Sequence, residues 1–394
     1  MSSAVRVVMF NSDETYGPTL RSTLLEFEGL KILAEVDEPA IIGEAIKQLP
    51  CDVLIVNLDP YGENLLPMLA PVAEANSDLP IFAISESTDG QLILAAMRHG
   101  IREFITKPID NAVLGEALSK VSGKAASRGK QGKLITVIGG AGGVGATTLA
   151  VNLATELKTL TSGDVALVDL DYRFGQVATH LDVEPTYTIA DLCESPEQLE
   201  HQVIERTLVR HSSGVRVLSR PLHFAQADNI TAAHCVGVLT ALTAVNDYVV
   251  VDGPTRFDYG TKAVLDISDT NLLVLQLVVP TVRSVHRMLE GMKEVGFNLD
   301  RMKLICNRVD CVGSCVTVED VSGTLSMEVF GEVPDDWATV NAAINIGEPL
   351  ATAAPKAKVR LAMKAMAEQL HSPSSSTENA EGNRKKGGLF SKIF

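Results

Sequence analysis

The sequence predicts an α/β protein made of two doubly wound parallel-sheet domains, and three observations lead to that prediction. Short, almost continuously apolar runs alternate with helix-like segments, as in parallel sheets whose strands are buried on both faces. The alternation occurs twice, on either side of a small, polar and basic stretch. The 394 residues, 46% of them hydrophobic, provide enough apolar side chains for two cores.

The first alternation defines a domain over residues 1–122. Helical stretches such as EPAIIGEAIKQL and GQLILAAMRHG, the second closed by Gly100, provide the crossovers between its strands. The predicted strands are Val5–Phe10, Leu30–Val36, Asp52–Leu58, Pro80–Ser85 and Arg102–Pro108.

A second domain is predicted over residues 133–370, after a linker at 123–132 with the sequence GKAASRGKQG. Its last helix-like stretch ends near Leu370, and the polar, low-complexity residues 371–394 predict a disordered tail. The apolar runs of the second domain are KLITVIGG, DVALVDLD, VRVLSR, YVVVDGP, NLLVLQLVV, KLICNRVD and MEVFGEVP.

Composition argues against several classes of function. With 34 Lys and Arg against 49 Asp and Glu, the net charge of −15 disfavours nonspecific coating of nucleic acid, and we expect no specific nucleic acid partner. The amino-terminal residues lack the pattern of a signal peptide, no apolar run approaches about eighteen residues, and the six cysteines are scattered. We therefore expect a cytoplasmic protein with reduced thiols.

The stretch GGAGGVGATT, from Gly139 to Thr148, has the spacing of a phosphate-binding loop. It follows the apolar run LITVI and precedes a helix-like segment, which is the context that such a loop requires. Its glycines let backbone amides converge on phosphate oxygens, and the helix dipole adds to the attraction. A simple glycine turn is the alternative. The predicted nucleotide-binding residues of the loop are Gly142, Gly143, Val144, Gly145, Ala146, Thr147 and Thr148.

Carboxylates follow two of the apolar runs and predict a magnesium site. Asp252 ends YVVVD, and Asp169 and Asp171 end ALVDLD. Thr147, Asp169 and Asp252 are the predicted metal residues, and Asp171 is the candidate that positions water for catalysis. The alternative is that these acidic residues only cap the helices that follow.

The set of motifs GGAGGVGATT, VDLDYRFGQ, VVVDGP, ICNRVD and VPDDWATVNAAINIGEPL resembles the ParA/MinD class of deviant Walker ATPases. Within that class the chain is most similar to the CpaE/TadZ pilus-assembly proteins, which place a receiver-like domain before an ATPase-like domain. The resemblance covers nearly all of the chain up to Leu370. It implies a P-loop fold for the second domain, ATP and Mg²⁺ as cofactors, a homodimer, and partners in a pilus secretion machine.

The chain departs from that class at two positions. The resemblance implies a lysine at Ala141, reaching the partner's nucleotide across a dimer, and another at Ala146, holding the β- and γ-phosphates. One charged hydrogen bond is worth about 1.5–3 kcal/mol, so nucleotide binding is expected to weaken. Hydrolysis is expected to suffer more, unless Arg173, Arg256 or Arg283 substitutes.

The segment NRVD bears on the choice of base. The resemblance implies that Asn307, with Arg308 beside it, contacts adenine. The segment is also close to the NKxD pattern by which some GTPases select guanine, with Asp310 as the carboxylate. A third interpretation is that NRVD is only the end of a strand.

The front domain resembles a response-regulator receiver. Ser85 and Lys107 match the hydroxyl and the lysine that sense a phosphoryl group, but Asn57 stands where the phosphorylated aspartate is expected. Asp59 is the possible phosphorylation site, and Asp13 with Glu14 could partly rebuild the acidic pocket. A pseudo-receiver used for dimerisation or docking is the favoured interpretation.

The last residues, NRKKGGLFSKIF, combine cationic and apolar side chains as interfacial membrane anchors do. They also resemble the carboxyl-terminal membrane-targeting helix of MinD proteins. A solubilising tail and a protein-docking peptide are the alternatives. The predicted membrane residues are Arg384, Lys385, Lys386, Leu389, Phe390, Lys392, Ile393 and Phe394.

Together these features predict a nucleotide-binding localisation or assembly factor for a Tad/Flp-type pilus secretion system. It is expected to associate with the anionic inner-membrane surface, with polar placement an option, and to hydrolyse ATP weakly or not at all. An active MinD-like ATPase that drives positioning is the first alternative. A DNA-segregation ATPase is the second, and the acidic charge weighs against it.

Overall fold

Two parallel sheets organise the part of the chain that the computed structural model describes, which is residues 4–27, 29–125, 131–194, 199, 201–254, 257–311 and 315–371. The front sheet has five strands and the second has eight. The sequence-based prediction of two doubly wound α/β domains is confirmed. None of the helices in these ranges is long and apolar enough to cross a membrane.

The front sheet has the order β2-β1-β3-β4-β5, and all its pairs are parallel. This order reverses at β1, so the loops after β1 and β3 open on a crevice at the carboxyl edge. The strands are β1 (Val5–Phe10), β2 (Leu30–Val36), β3 (Val53–Asn57), β4 (Ile81–Ser85) and β5 (Glu103–Thr106). The helices are α1 (Gly17–Leu25), α2 (Ile42–Gln48), α3 (Leu66–Ala75), α4 (Gly90–Arg98) and α5 (Asn111–Ala125).

The second sheet has the order β13-β12-β11-β6-β10-β7-β9-β8 and is parallel except for the last pair. Strand β6 lies between β11 and β10, which places the loop after it at the point where the strand order reverses. The strands are β6 (Lys133–Gly139), β7 (Val165–Asp169), β8 (Val209–Arg210), β9 (Arg216–Leu218), β10 (Tyr248–Asp252), β11 (Thr270–Gln276), β12 (Met302–Val309) and β13 (Val329–Pro334).

Helices cover both faces of the second sheet. They are α6 (Ala146–Leu160), α7 (Val177–His180), α8 (Ile189–Cys193), α9 (His201–Thr207), α10 (Phe224–Ala227), α11 (Ala232–Val245), α12 (Tyr259–Ile267), α13 (Val279–Glu294), α14 (Val318–Leu325), α15 (Trp337–Asn345), α16 (Leu350–Ala353) and α17 (Lys358–His371).

The elements differ from the sequence-based ones mainly at their ends. Helix α5 continues to Ala125, three residues into the stretch expected to be linker. The run VRVLSR forms only the short strand β9, and β8 is an edge strand that the sequence-based strands did not include. A short, weakly apolar edge strand lacks the pattern by which buried strands are recognised.

The two domains pack along strand β2 and helix α12. Arg21 is 1% exposed and forms ion pairs with Glu35 of β2, at 2.7 Å, and with Asp266 of α12. Lys262 of α12 pairs with Glu35 at 3.0 Å. Apolar residues of both domains belong to one continuous buried cluster, and a cavity of about 290 Å³ lies beside the ion pairs. The front domain is therefore fixed to the second by a buried mixed interface.

The contacts along this interface set the relative direction of the two sheets. Lys31, near the amino end of β2, pairs with Asp269 just before β11, while Glu35 near its carboxyl end contacts the first half of α12. Helix α12 connects the carboxyl end of β10 to the amino end of β11, so it runs opposite to the strands of the second sheet. Strand β2 thus runs in the same direction as the second sheet, and the carboxyl edges of both sheets face the same side.

Candidate functional site

The loop between β6 and α6 has the geometry of an anion receptor. Gly143 and Gly145 have φ angles of +74° and +97°, which residues with a Cβ rarely adopt. Gly145 is the N-cap of α6, and the first backbone hydrogen bond of that helix runs from Leu149 to Gly145. No described group accepts a hydrogen bond from the backbone amides of residues 145–148. These amides are free to bind an anion, with the positive end of the helix dipole behind them.

Two side chains from neighbouring strand ends hold the loop in this shape. The amide of Asn307 donates to the Val144 carbonyl at 2.7 Å, and that of Gln276 donates to the Gly143 carbonyl at 3.2 Å. A Cβ on Gly145 would lie 2.3 Å from the Asn307 amide nitrogen, so another residue there would displace the Asn307 side chain and would also be strained at a φ of +97°. The sequence-based set of site residues did not include Gln276, although a polar residue ending an apolar strand is the pattern that identified Asp169 and Asp252.

Asn307 and Arg308, predicted to contact the base, have separate environments. The Asn307 side chain lies on the loop and its oxygen accepts from the Arg308 backbone amide at 2.9 Å. The Arg308 guanidinium lies 5.2 Å from the centre of the Trp337 ring. The structure therefore places Asn307 with the phosphate loop and stacks Arg308 on an aromatic side chain of α15.

The two predicted metal carboxylates end adjacent strands. Asp252 of β10 and Asp169 of β7 are register partners, 2% and 1% exposed. Thr147 Oγ1 donates to Asp252 Oδ2 at 2.7 Å, while Asp169 accepts from the backbone amides of Asp171 and Val177, both at 3.1 Å. The three predicted metal residues thus lie at one edge of the sheet, directly beside the loop.

Burial and mutual repulsion govern the charge of this pair. Burial, only partly offset by the amides of Val177 and Asp171, raises the pKa of Asp169 to about 7. Burial, with the charge of Asp169 added, raises the pKa of Asp252 well above its ordinary range. A cation bound here would relieve the repulsion between the two carboxylates.

The donor set fits a hard cation such as Mg²⁺. The described residues contain no group of three His, Cys, Asp or Glu side chains arranged to hold a metal ion. One hydroxyl and two carboxylates are available, and Mg²⁺ is ordinarily held by one or two carboxylates together with phosphate oxygens and water. The edge is therefore suited to a metal that arrives with a nucleotide.

Asp171, the candidate for positioning water, is engaged in its own loop. Its carboxylate accepts from the backbone amides of Arg173, at 3.4 Å, and Phe174, at 3.1 Å. A Cβ on Gly175 would lie 2.1 Å from a carboxylate oxygen of Asp169, so the loop passes close to the buried pair. In this arrangement Asp171 closes the turn that precedes α7 and does not cap that helix, which begins only at Val177.

The positions that carry lysine in the resembling class are filled by small apolar side chains. Ala141 and Ala146 are half-buried and pack against the apolar cluster of the second domain. Of the three arginines considered as substitutes, Arg173 pairs with Asp228, Arg283 is exposed on α13, and Arg256 lies outside the described residues. The described part of the site therefore relies on backbone amides.

The front domain places Asp59 where the sequence suggested a sensing pocket. Asn57 donates to Asn11 at 2.7 Å, whereas Asp59 contacts Ser85 at 2.9 Å and Lys107 at 2.9 Å. Burial raises the pKa of Asp59, but hydrogen bonds from Lys107, the Glu86 amide and Ser85 outweigh it and hold the pKa below its ordinary value.

The other acidic residues of this edge are not joined to Asp59. Asp13 lies in the turn before α1 and accepts from Thr15 Oγ1 at 2.6 Å, and Glu14 is exposed. The predicted membrane residues lie outside the described part of the chain, as do residues 126–130 of the predicted linker. They are Arg384, Lys385, Lys386, Leu389, Phe390, Lys392, Ile393 and Phe394.

Comparison with known proteins concerns the second domain. A family model described as an AAA domain matches residues 132–303. The septum site-determining protein MinD of Thermotoga maritima is 25% identical over 230 residues, which is 56% of this chain and 81% of that protein. MinD of Bacillus subtilis is 26% identical over 268 residues, covering 66% of this chain and 97% of that protein.

Solved structures show the same fold. A ParA family ATPase from Chlorobium tepidum has a TM-score of 0.58 at 20% identity, with 61% of this chain and 99% of that chain covered. MinD of Pyrococcus horikoshii, complexed with Mg-ADP, has a TM-score of 0.54 at 18% identity, with 62% and 97% covered. The matches support a ParA/MinD-type P-loop fold for the second domain.

Proposed function

We propose that this chain, whose second domain is of the ParA/MinD ATPase type, is a nucleotide-binding positioning factor with weak or no hydrolysis. The observation that carries the proposal is the group of free backbone amides at residues 145–148 beside the Thr147–Asp252 pair. Backbone amides at a helix start bind phosphate without help from a charged side chain. Binding therefore does not depend on the two lysines that this chain lacks.

ATP with Mg²⁺ is the proposed ligand, and GTP is the alternative. The MinD structure from Pyrococcus horikoshii holds Mg-ADP, which supports an adenine nucleotide for a domain of this fold. Thr147, Asp169 and Asp252 would hold the metal, which offsets phosphate charge when bound. Asn307 would keep Val144 and the loop in the binding shape.

Hydrolysis is proposed to be slow because no described ammonium or guanidinium group contacts the loop. Supplying one positive donor to the transferred phosphoryl group is worth about a thousandfold or more in rate. Asp171 would also have to give up its hydrogen bonds to the amides of Arg173 and Phe174 before it could position water. Nucleotide is therefore proposed to stabilise a state of the protein, such as a homodimer, more than to drive a cycle.

The site of action is proposed to be the cytoplasmic face of the inner membrane. Four cationic and four apolar side chains in the last residues suit an anionic surface, at about 1 kcal/mol per basic residue. Two copies in a homodimer would bind more firmly than one. Its partners would be components of a Tad/Flp-type pilus secretion machine, with polar placement an option, because the likeness to CpaE/TadZ proteins extends into the front domain.

An active MinD-like ATPase is the alternative function, and the curated relatives described above are MinD proteins. It requires an arginine of this chain or its partner to replace the missing lysines. A DNA-segregation ATPase shares the fold of the Chlorobium tepidum protein, but the net charge of −15 weighs against it.

Calorimetric titration of the full chain with ATP and with GTP, each with Mg²⁺, tests the proposal alongside an assay of phosphate release. We expect heat on ATP addition and release at background. Thr147→Ala should weaken Mg²⁺-dependent binding by about tenfold, since it removes one metal-linked hydroxyl. Thr159→Ala, at the far end of α6, is the matched control.

No heat with either nucleotide at millimolar concentration would refute nucleotide binding. Rapid phosphate release by the native sequence would favour the MinD-like alternative. Equal ATP affinity in the Thr147 and Thr159 variants would remove the metal site from the proposal.

The membrane assignment has its own experiment. Deletion from Asn383 onward should abolish sedimentation with vesicles that contain anionic phospholipid, and vesicles of neutral lipid alone should not sediment the native chain. Continued sedimentation of the truncated chain with anionic vesicles would show that the tail is not the anchor.

A further inference from the structure

Two hydrogen-bond donors and one ammonium group from two strand ends converge on the Asp59 carboxylate at the carboxyl edge of the front sheet. Ser85 Oγ donates to Oδ1 at 2.9 Å, and the Glu86 backbone amide donates to Oδ2 at 2.8 Å. Lys107 Nζ lies 2.9 Å from the same Oδ2. A hydroxyl, a backbone amide and an ammonium group form the kind of donor set that binds tetrahedral oxyanions.

The donors are held in place independently of Asp59. Ser85 is fully buried, and its oxygen accepts from the Ser87 backbone amide at 3.1 Å, which directs the hydroxyl proton toward Asp59. The side chain of Lys107 is 6% exposed, and its Nζ also lies 3.8 Å from the centre of the Tyr16 ring. These contacts make a built site from strands β4 and β5.

Asp59 is the one carboxylate in the described ranges within ion-pair distance of Lys107. It reaches the donors from the loop after β3, and the Asn57 side-chain oxygen accepts from its backbone amide at 3.3 Å. The Asp59 side chain keeps 23% of its surface exposed, so the donors lie just below solvent. Both carboxylate oxygens are in use, one on Ser85 and one on Glu86 and Lys107.

We infer that Ser85, the Glu86 amide and Lys107 form an oxyanion-binding site that this chain fills with its own Asp59 carboxylate. A ligand tethered to the same loop has a high effective concentration, so free phosphate does not displace it. The front domain therefore stays in the anion-bound state without an external phosphoryl group, and Asp59 is the ligand of the site rather than a residue awaiting modification.

Replacing Asp59 should open the site to an added anion. With inorganic phosphate as the probe, we expect Asp59→Ala to gain a phosphate-dependent rise in the midpoint of thermal unfolding, with an apparent Kd about tenfold or more below that of the native chain. Asp13→Ala is the matched control, because Asp13 is another carboxylate of this edge and forms no hydrogen bond or ion pair with Ser85 or Lys107 among the described residues. Sodium chloride at equal ionic strength controls for screening.

Phosphate binding at the loop of residues 139–148 does not confound the comparison. That loop is unchanged in all of these variants. The phosphate-dependent rise in the native chain and in Asp13→Ala therefore measures binding at the loop. Binding at the front site is measured by the excess, which is the additional rise seen in Asp59→Ala. The double variant Asp59→Ala/Lys107→Met should lose the excess. The outcome is thus distinguishable from failure of nucleotide binding.

Equal phosphate responses in the Asp59 and Asp13 variants would overturn the inference, as would an excess that survives in the double variant. If Asp59→Ala does not fold, Asp59→Asn serves in its place, because the amide keeps the shape and removes the charge. In that variant the Glu86 amide resonance should shift on titration with phosphate, and an unchanged resonance would count against the inference.

Discussion

The two domains present the same architectural position, the carboxyl edge of a doubly wound sheet, and equip it in opposite ways. In the front domain this edge carries Lys107, and the Asp59 carboxylate forms an ion pair with it. The second domain has free backbone amides at residues 145–148 and two buried carboxylates, with alanine at both lysine positions. We propose that the first site is complete without a ligand and that the second is completed by a phosphate and a cation.

The difference follows from how the charged groups are arranged at each site. In the front domain the anion is part of the chain, so its binding costs no loss of translational freedom. In the second domain Asp169 and Asp252 repel each other, and burial raises both their pKa values. If both proposals hold, the same fold supports a permanently filled site and a site whose occupancy depends on nucleotide.

The largest expected effect comes from removing the ion pairs that join the two domains. Arg21→Met leaves Glu35 and Asp266 without their shared buried cation, and we expect the free energy of unfolding to fall by about 3–5 kcal/mol. The fall should appear as a lower urea midpoint, and the front domain should unfold separately from the second.

Lys293→Met provides the control, because Lys293 belongs to an ion pair with Glu290 in which both side chains are more than half exposed. Its effect should stay within about 0.5 kcal/mol. If the two variants lose similar stability, the buried ion pairs do not hold the domains together.

The second prediction adds an ammonium group to the glycine-rich loop, so that both sites carry a lysine. Ala146→Lys should tighten ATP binding by about 1.5–3 kcal/mol, or roughly ten- to a hundredfold in Kd by calorimetry, since it supplies one charged hydrogen bond to phosphate. Phosphate release should rise as well.

Ala146→Met has a similar length and no charge, so it separates charge from packing against the apolar cluster around Ala146. The methionine variant should bind ATP as the native chain does. An equal gain in both variants would show that contact area rather than charge limits the native loop.

The smallest effect is a pH dependence confined to the front site. A carboxylate with a lowered folded-state pKa stabilises the chain fully above its unfolded-state pKa of about 4, and loses that contribution as pH falls through the folded value. Asp59→Asn should therefore cost about 1 kcal/mol at pH 7 and progressively less below pH 4, measured by urea unfolding of both chains. A difference between the chains that grows toward low pH would contradict the ion pair.

Much of the architecture followed from local pattern. The continuous apolar runs identified the central strands, and the loop GGAGGVGATT identified the start of α6, because buried parallel strands and glycine-rich turns leave strong marks in sequence. The short strands β8 and β9 were poorly defined for the opposite reason. Few residues and mixed polarity leave little pattern to detect.

The candidate sites were predicted less completely than the fold. Thr147, Asp169 and Asp252 lie together as proposed because the carboxyl ends of parallel strands meet at one edge. The contact of Asn307 with the Val144 carbonyl joins residues 163 positions apart, and no spacing rule connects them. Asp59 reaches Ser85 and Lys107 from two residues beyond the strand end, a position that depends on the path of its loop.

Residue types at short spacing were enough to predict the two parallel sheets, the glycine-rich loop and the alanines at positions 141 and 146. Contacts between distant segments were needed to show which carboxylate meets Lys107, which amide holds the loop, and how Arg21 joins the domains. Those pairings depend on packing between segments that are distant in the chain. A shift of a few ångströms between two such segments determines whether their side chains form an ion pair or a hydrogen bond.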